Sequence, residues 1–383
     1  MNSKERVAAM ISREPVDSIP LGFYVVDCDT VEKVIGRKTY VRDKIGRQIA
    51  FWEGRRDEVV QSYITDTIEF FEKLDCVDLI TFKEAAIVPP KDYQPNPRRK
   101  IAEDLWEDDA GRIYKASYVS NEMVCVEDPN ARDVSDFSED MFPEVSEDEL
   151  QPPDESIFEA ADAVTEVLGK DRYIAGKCGG MTAFTLVGGQ ETGLMIYALK
   201  PGVVKAANRR SVKIQNYRDE YFIRSSQDGV LLEQDMGGTN GPFISPEKFR
   251  ECCFPYLKER VSNIKQFDKQ VILHNCGDNR PLIDMFIKAG IQCYQSLQTN
   301  AGMELGHLQE RFGNRIIFWG GVATELLVGG TPAEVRENVR EAMEIGASAD
   351  GFILGPSHSV AYGTKYENFM AMLDEYDKNK DKF

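Results

Sequence analysis

The chain has 383 residues, of which 42% are hydrophobic and 29% charged, and its formal net charge is −18. This composition is typical of a soluble globular protein and excludes a disordered or fibrous chain. It also lacks the basic surface that nucleic-acid binding requires, so we expect no nucleic-acid partner. The acidic excess argues against a polyanionic ligand unless one site concentrates Lys and Arg against the overall field.

The N-terminal segment and the cysteines bear on location. Residues 1–20 lack the apolar core of a signal peptide, and no segment approaches the roughly 18 continuous apolar residues of a membrane span. Eight cysteines without a dense spacing pattern suit reduced thiols better than disulfides. We therefore expect a cytoplasmic protein with no membrane partner.

Short apolar runs alternate with helical patterns along the chain. The predicted strands lie in "VDLITF", "RYIAGK", "GVLLEQD", "QVILHNCGD", "IQCYQSL", "RIIFWGG" and "GFILGPS". Strands that alternate with helices indicate parallel βαβ units, and seven or eight units over about 300 residues favour a (β/α)8 TIM barrel over an open doubly wound sheet. We predict an α/β fold in which residues 1–383 form a single barrel domain.

Helix signals lie between these runs. Ser245 is a predicted N-cap with Pro246 at the first helical position, and Pro255 should kink the same helix because proline lacks the N–H donor. Thr331 and Glu334 have the spacing of a capping box, and the helix that they start should stop at Gly346.

Residues 90–155 interrupt the alternation. The segment begins with the proline-rich "PPKDYQPNPRRK", continues with a predicted hairpin around Asp109-Ala110-Gly111, and ends in the acidic "DVSDFSEDMFPEVSEDEL". We predict an insertion after the first strands, on one face of the barrel. It is either a lid over the site or a solvated surface excursion.

Chemically active side chains follow the predicted strands. In a barrel, residues just after each strand face the active mouth, which gives the candidates Glu84, Cys178, Glu233, Asp235, His274, Cys276, Ser357 and His358. His274 and Cys276 are two positions apart, so both point to one side if the strand extends that far. The alternative is a histidine that caps the strand and a cysteine that packs in the core.

Imidazole and thiolate ligands favour zinc, and a catalytic zinc site needs a third protein ligand. His358 is the leading choice because it follows the last strand. Glu233 and Asp235 are rivals, or they orient the histidine, and Cys178 is a more distant alternative. We expect packed or surface positions for His307 and Cys293.

Several segments resemble the uroporphyrinogen decarboxylase superfamily. They are "EQDMGGTNGPFISPEKFRECCFPYLKERV", "HNCGDNRPLIDMFIKAGIQCYQSLQ", "RFGNRIIFWGGV", "GGTPAEVRENVREAM" and "GFILGPSHSV". The resemblance covers most of the chain except much of the insertion, and it implies a (β/α)8 barrel with its cleft at the C-terminal ends of the strands. One branch of this superfamily decarboxylates uroporphyrinogen without a cofactor. The other exchanges a methyl group with a corrinoid protein and binds zinc through His-x-Cys and a later ligand.

The two branches differ near the N-terminus. Decarboxylases carry an Arg-Gln-Ala-Gly-Arg motif that holds the substrate's carboxylates, whereas the corresponding "IPLGFYVVDCDTVEKV" has no arginine and carries Asp27 and Asp29. The methyltransferase branch matches at "HNCG", residues 274–277. Its third ligand is usually a cysteine after the last strand, and this chain has His358 at that place.

The resemblance therefore implies a zinc methyltransferase that works with a separate corrinoid (cobalamin) protein and a small methyl donor or acceptor. We favour O-demethylation of methoxylated aromatic compounds, with Glu84, Glu233 or Asp235 supplying a proton or positioning the substrate. Further substrate contacts are assigned to Tyr24, Cys178 and Asn240. The alternatives are methyl transfer from the corrinoid to a thiol, a cofactor-free decarboxylase, and a non-catalytic barrel that binds a tetrapyrrole or corrinoid partner.

Overall fold

The structure is a computed structural model that describes residues 1–83, 85–180, 183–347 and 351–382. Its strands are β1 (Leu79–Thr81), β2 (Arg99–Ala102), β3 (Leu105–Glu107), β4 (Ile113–Ser117), β5 (Glu122–Glu127), β6 (Tyr173–Gly176), β7 (Gly229–Glu233), β8 (Gly237–Gly238), β9 (Gly241–Pro242), β10 (Gln270–His274), β11 (Cys293–Gln295), β12 (Ile317–Val322) and β13 (Phe352–Pro356). Its α-helices are α1 (Ser3–Ser12), α2 (Cys28–Ile35), α3 (Lys44–Trp52), α4 (Arg56–Lys73), α5 (Glu159–Leu168), α6 (Gln190–Leu199), α7 (Pro201–Phe222), α8 (Pro246–Cys252), α9 (Phe254–Lys265), α10 (Ile283–Ala289), α11 (Leu305–Phe312), α12 (Thr324–Gly329), α13 (Pro332–Ala347) and α14 (Tyr366–Asn379).

Seven parallel strands form a curled sheet in the order β1-β6-β7-β10-β11-β12-β13. A short N-terminal segment joins the two edges of this sheet, since Leu21 bridges Leu354 of β13 and Gly22 bridges Leu79 of β1. The Gly22 amide donates to the Leu354 carbonyl at 2.9 Å. Residues 21–22 thus take the place of an eighth strand. The predicted barrel is confirmed, and each predicted strand run overlaps one of the seven strands.

Side chains at alternate strand positions fill the interior of the barrel. This interior cluster includes Leu79, Tyr173, Ala175, Leu231, Ile272, Cys293, Ile317, Trp319 and Ile353, with Val7, Met10 and Ile11 of α1. Helix α1 covers the N-terminal ends of the strands, where the Lys4 amide donates to the carbonyl of Asp171 just before β6. The C-terminal ends remain as the mouth of the barrel. The intervening strand positions pack outward against the helices.

The helix boundaries follow the local sequence signals. The Ser245 side chain accepts a hydrogen bond from the Lys248 amide, and Pro246 is the first residue of α8. The predicted kink at Pro255 is a complete break, because α8 ends at Cys252 and α9 begins at Phe254. No described helix is both long enough and apolar enough to cross a lipid bilayer.

The capping box before α13 also forms. The Thr331 amide donates to Glu334 at 2.8 Å, and the Glu334 amide donates back to the Thr331 hydroxyl at 3.4 Å. The described part of this helix runs to Ala347 and so continues past the predicted stop at Gly346. A local motif of four residues therefore sets the start of the last helix before β13.

Between β1 and β6 the chain forms an antiparallel sheet in the order β2-β3-β4-β5. The β3–β4 hairpin turns at Gly111, which has a φ of +76°. Trp106 and Ala116 of this sheet pack with Ile45 and Trp52 of α3. The sheet lies within the predicted insertion. The division of the chain into one barrel domain with an insertion at residues 90–155 stays a prediction.

Candidate metal centre

One thiol and two imidazoles converge at the mouth of the barrel. His274 is the last residue of β10, Cys276 follows two residues later, and His358 comes two residues after β13. Cys276 Sγ lies 3.3 Å from His274 Nε2 and 3.0 Å from His358 Nε2. All three potential ligand atoms lie within 4.8 Å of one another. We call these residues the donor trio.

Burial sets the protonation states in the donor trio. It lowers the pKa of His274, and the neighbouring His358 lowers that pKa further. Burial also lowers the pKa of His358, so both rings are neutral near pH 7 and each presents a nitrogen lone pair. Burial, followed by the carboxylate of Asp235, raises the pKa of the Cys276 thiol. A cation bound between these atoms would reverse that effect on the thiol, because a coordinated thiol loses its proton.

Second contacts fix the orientation of the two rings. The Nδ1 atom of His274 is hydrogen-bonded to Gln295 Oε1, so Nδ1 carries the proton and Nε2 is left for a ligand. The Nδ1 atom of His358 lies 2.8 Å from the Ser359 hydroxyl, which leaves its Nε2 toward Cys276. Such outer contacts are those that metal-binding histidines make in proteins.

The backbone after β10 is shaped to present Cys276. Its amide donates to Asp235 Oδ1 at 3.0 Å. Gly277 follows with a φ of +83°, and a Cβ there would lie 2.3 Å from the carbonyl oxygen of Gly237. Only glycine fits this position without moving the backbone. The turn therefore fixes the sulfur beside the histidines.

The donor set is compatible with zinc. Two neutral imidazole nitrogens and one sulfur are ligands that zinc accepts, and a catalytic zinc site keeps a fourth position for water or substrate. The carboxylate of Asp235 is exposed, and its Oδ1 lies 3.9 Å from His274 Nε2. The structure thus brings His358 to the other two ligands and leaves Asp235 at their edge. Their role as metal ligands stays a prediction.

A charged cluster lies next to the donor trio. Glu233, at the end of β7, accepts a hydrogen bond from the Tyr24 hydroxyl at 2.6 Å and pairs with Lys83 at 2.8 Å. Its second carboxylate oxygen pairs with Lys177, which follows β6. Lys83 also donates to the Tyr24 oxygen at 2.9 Å. We call Lys83, Lys177 and Glu233 the lysine cluster.

These contacts determine the charge on each group. Burial alone would raise the pKa of Glu233, but the ammonium groups of Lys177 and Lys83 outweigh it and hold the pKa far below its ordinary value. Glu233 is thus ionised and is a poor proton donor. Burial lowers the pKa of Lys83, with partial opposition from Glu233. Burial and the Glu233 charge raise the pKa of Tyr24.

Tyr24 connects the lysine cluster to the donor trio. Its ring stacks on the His274 imidazole, with centroids 3.7 Å apart and planes within 7° of parallel. The same ring meets His358 edge-on at 6.1 Å. Tyr24 lies two residues after Gly22, the residue that bridges β1. Closure of the barrel therefore places this ring against the site.

The other predicted site residues lie in different surroundings. Cys178 is buried and donates to the Gly180 carbonyl, within the layer between strands and helices. Asn240 is exposed in the β8–β9 turn. Glu84 lies outside the described residues. The catalytic and substrate-binding roles assigned to these residues, and to Tyr24, Glu233 and Asp235, stay predictions.

Sequence reasoning missed the two lysines and Gln295. The signal was present, because Lys83, Lys177 and Gln295 continue the inward-facing alternation of β1, β6 and β11. It also missed that Asp27 is paired, since Arg42 Nε donates to its carboxylate at 3.1 Å. Candidates were chosen only because they follow a predicted strand. The alternation of side chains along each strand was not used to decide which of them face the barrel interior.

Two cavities flank this region. One of about 480 Å³ borders the donor trio directly and is lined by His358, Ser357, Gln298, Asn300 and Thr324, among others. A larger one of about 840 Å³ lies beside α2, α3 and α4 and includes Asp29 and Tyr118 in its lining, but no member of the donor trio. Both cavities have the volume of a small-molecule site, and the smaller one borders the donor trio.

Comparison with known proteins agrees with this architecture. The family model described as uroporphyrinogen decarboxylase (URO-D) matches residues 121–378. A solved methyltransferase from Methanosarcina mazei shares 18% sequence identity over 99% of both chains, with a TM-score of 0.67. A solved uncharacterized protein matches 55% of this chain and 52% of its own at 14% identity, with a TM-score of 0.26. No curated protein sequence matches the chain.

The likeness to the solved methyltransferase is one of fold. The family match rests on sequence and includes both β10, which carries His274, and β13, which precedes His358. It spans more than half of the 383 residues. The chain therefore belongs to the uroporphyrinogen decarboxylase (URO-D) family.

Proposed function

We propose that this protein is a zinc-dependent methyltransferase that takes a methyl group from a small methyl ether and passes it to the cobalt of a corrinoid carried by a separate protein. The observation that carries the proposal is the convergence of Cys276, His274 and His358 at the barrel mouth. The shared fold with a methyltransferase supports it. Methoxylated aromatic compounds are the favoured substrates.

The balance of charge in the donor trio favours the demethylating direction. Zinc bound there would act as a Lewis acid that polarises an ether oxygen. Because the trio contributes one thiolate and two neutral imidazoles, it neutralises less of the metal's charge than a thiolate-rich set. This arrangement suits activation of an oxygen better than presentation of a second thiolate to a methyl donor.

The residues of the chain then have separable tasks. Cys276, His274 and His358 would hold the metal, and Gln295 and Tyr24 orient the His274 ring. The methyl carbon leaves oxygen with the C–O electron pair staying on the oxygen, and reduced cobalt of the corrinoid supplies the pair for the new bond. The departing oxygen takes up a proton, for which the neighbouring Lys83 is the candidate source, because burial lowers its pKa.

This assignment changes the expected task of Glu233. Its two lysine contacts keep it ionised, so we infer that it positions Lys83 and Lys177 instead of supplying a proton. Asp235 accepts the Cys276 amide and positions the loop that carries the sulfur. The cavity of about 480 Å³ beside His358 would receive the substrate.

Metal analysis and cobalt spectroscopy test the proposal. We expect about one zinc per chain in the isolated protein, in keeping with the one set of three potential ligands among the described residues. Mixed with chemically reduced cob(I)alamin and 4-methoxybenzoate, the protein should form methylcobalamin and 4-hydroxybenzoate in equal amounts. The absorption spectrum reports the first product, and chromatography reports the second.

Other outcomes would identify the alternatives. If no methyl ether reacts, but methylcobalamin is consumed when a thiol is added, the transfer runs in the opposite direction. A metal-free protein that releases carbon dioxide from a carboxylate would be a decarboxylase. A metal-free protein with neither activity would support the remaining alternative, a non-catalytic barrel that binds a partner.

A further inference from the structure

We propose that Asp27 and Asp29 are positioning residues, which hold the segment after β13 by its backbone amides and thereby aim His358 at the other two members of the donor trio. The inference rests on the proposed function, because it concerns the same metal. It goes beyond that function, because neither carboxylate has a task in it. Contacts on both sides of His358 carry the inference.

His358 lies in a stretch that contains one extra residue. The segment that closes the barrel pairs in parallel with the chain around His358 at two points. At the first point Leu21 bridges Leu354 of β13, and at the second Val26 bridges Val360. Five steps along the closing segment therefore lie opposite six steps that include His358. An extra residue of this kind forms a bulge, which re-aims side chains and is common next to active sites. The direction of His358 thus depends on how firmly the chain is held on either side.

Carboxylates hold the chain just after the second point. The amide of Tyr362 donates to Asp27 Oδ2 at 3.0 Å. The amide of Gly363 donates to Asp29 Oδ2 at 2.8 Å. Hydrogen bonds to an ionised carboxylate are stronger than those between neutral groups. The two side chains therefore fix successive amides of the segment that carries His358.

Each carboxylate is itself fixed by a second contact. Asp27 is buried, and its other oxygen accepts from Arg42 Nε at 3.1 Å. Arg42 has a φ of +58°, and Asn121 Nδ2 donates to its carbonyl at 3.1 Å. A left-handed backbone at a residue other than glycine persists only where neighbouring contacts enforce it. Asp29 Oδ1 accepts from the amide of Thr30 in the first turn of α2 at 2.9 Å. Both carboxylates are therefore rigid anchors.

The opposite flank of His358 is held by neighbouring strands. The carbonyl of Ser357 accepts from the Leu297 amide at 2.8 Å and from the Ser296 hydroxyl at 2.9 Å. Its hydroxyl accepts from the Thr324 amide at 3.1 Å. His358 is thus suspended between a fixed residue before it and the two carboxylate anchors after it. A ligand whose supporting contacts are already in place keeps the geometry that a metal requires.

Asparagine substitutions test the inference, because an amide side chain accepts through only one of its two polar atoms. Asp27→Asn and Asp29→Asn each keep the shape of the side chain and break one of its two accepted hydrogen bonds. We expect zinc affinity, measured by competition with a chromophoric chelator, to fall by about tenfold in each, the lower end of what contacts beyond the ligands contribute. In the cobalt(II)-loaded variants the visible absorption spectrum should change, because it reports the arrangement of the ligands.

Asp108→Asn is the matched control. Asp108 is also buried, and it also accepts from an arginine side chain, that of Arg112, and from backbone amides, those of Ala110 and Arg112. It follows β3 in the antiparallel sheet and is not part of the donor trio. We expect this control to lose stability in urea as the two variants do, but to keep the zinc affinity and the cobalt spectrum of the unaltered protein.

A shorter ligand at position 358 measures the coupling directly. His358→Cys keeps a side chain that zinc accepts, but a thiol sulfur reaches less far from the backbone than an imidazole Nε2. Because the segment is held in place, zinc affinity should fall in this variant. In His358→Cys/Asp27→Asn the released segment can move toward the metal. The combined loss should therefore be at least about threefold smaller than the product of the two separate losses, as expected for coupled residues.

The outcomes separate this inference from the proposed function. Unchanged zinc affinity and cobalt spectra in Asp27→Asn and Asp29→Asn overturn the inference, and so does an equal effect of the Asp108→Asn control. Losses of Asp27→Asn and His358→Cys that simply multiply also overturn it. An unaltered protein that binds no zinc contradicts both the inference and the proposed function. Zinc binding that depends on Asp27 and Asp29, without any methyl transfer, would uphold the inference and contradict only the proposed reaction.

Discussion

Cys276 is the one donor in the trio that contacts both of the others. Its sulfur lies 3.3 Å and 3.0 Å from the two Nε2 atoms. Cys276→Ser replaces a thiolate by a hydroxyl that stays protonated at neutral pH, so we expect zinc affinity to fall by more than about 100-fold, beyond the loss typical of outer contacts. Competition with a chromophoric chelator measures the affinity.

Cys125→Ser is the control for that substitution. Cys125 is exposed on β5 of the antiparallel sheet and is not part of the donor trio. Its replacement should leave zinc affinity unchanged. Equal zinc affinity in Cys276→Ser and the unaltered protein would mean that the metal does not bind at the trio.

Gln295 acts on the same site through His274. Its side chain accepts from Nδ1 and thereby selects the tautomer that offers Nε2 to a metal. Gln295→Leu removes the acceptor, and we expect zinc affinity to fall by about 10- to 100-fold. Gln309→Leu, at a partly buried glutamine that donates to the Gly351 carbonyl, is the matched control and should not change it. If the two variants bind zinc equally well, Gln295 does not orient the ligand.

At the residue scale, the three members of the donor trio could be selected as candidates from the sequence, whereas the two lysines of the lysine cluster could not. His274, Cys276 and His358 follow strands and share a chemistry that strand-end reasoning selects. Cys178 was chosen as a candidate, whereas its neighbour Lys177 has the inward-facing side chain, and Lys83 was not chosen at all. A side chain one position along a strand points to the other face, so a register error of one residue exchanges a ligand group for a core group.

At the element scale, a buried ion pair fastens the loop after β6 to the outer helices. Asp219 of α7 pairs with Arg260 of α9, and both side chains are fully buried. The same carboxylate accepts from the Gly179 amide at 2.8 Å and from Asn263 at 2.7 Å. Gly179 follows Lys177 by two residues, so the pair also supports the lysine cluster.

Asp219→Asn should therefore be strongly destabilising. It leaves the guanidinium of Arg260 buried without its counter-ion, which typically costs about 3–5 kcal/mol of unfolding free energy. Urea denaturation measures this loss. The comparison variant is Asp162→Asn, whose partner Arg224 is partly exposed, and there we expect at most about 1 kcal/mol. Equal losses would show that the buried pair contributes no more than a surface pair.

The elements of the barrel were predictable where apolar runs are continuous. Each of the seven strands of the main sheet overlaps such a run, and both capping motifs formed as their spacing indicates. Residues 21–22 were not recognised as a strand position, because Pro20 and Gly22 are residues that strands disfavour. The four strands β2 to β5 were anticipated only as one hairpin, since their packing on Trp52 of α3 depends on contacts distant in sequence.

At the scale of the whole molecule, the segment that closes the barrel also supplies a residue that contacts the donor trio. Residues 21–22 join β13 to β1, and Tyr24 follows directly to stack on His274. The donor trio itself comes from β10 and β13, which are separated by two other strands in the sheet. The chain thus brings the first and last strand positions together at the point where the chemistry is proposed.

Gly355 of β13 tests this dependence. A Cβ at this position would lie 2.3 Å from the carbonyl oxygen of Gly22 and 2.8 Å from Trp319 Nε1, and neither neighbour is the free end of a flexible side chain. Gly355→Ala must therefore push the closing segment away, and we expect a loss of about 1–3 kcal/mol in unfolding free energy, as overpacking of a core costs. Because Tyr24 moves with that segment, zinc affinity should fall in the same variant.

Gly306→Ala should raise the free energy of unfolding instead of lowering it. Gly306 is the second residue of α11, and a Cβ there meets nothing within 4 Å. Alanine is favoured over glycine by about 0.5–1 kcal/mol in a helix interior and by less in the first turn, so unfolding free energy should rise by at most about 0.5 kcal/mol while zinc affinity stays constant. If Gly355→Ala lowers stability but leaves zinc affinity unchanged, closure supports the fold without setting the geometry of the donor trio. A joint fall in both quantities would tie the metal centre to the contact between the first and last strand positions of the barrel.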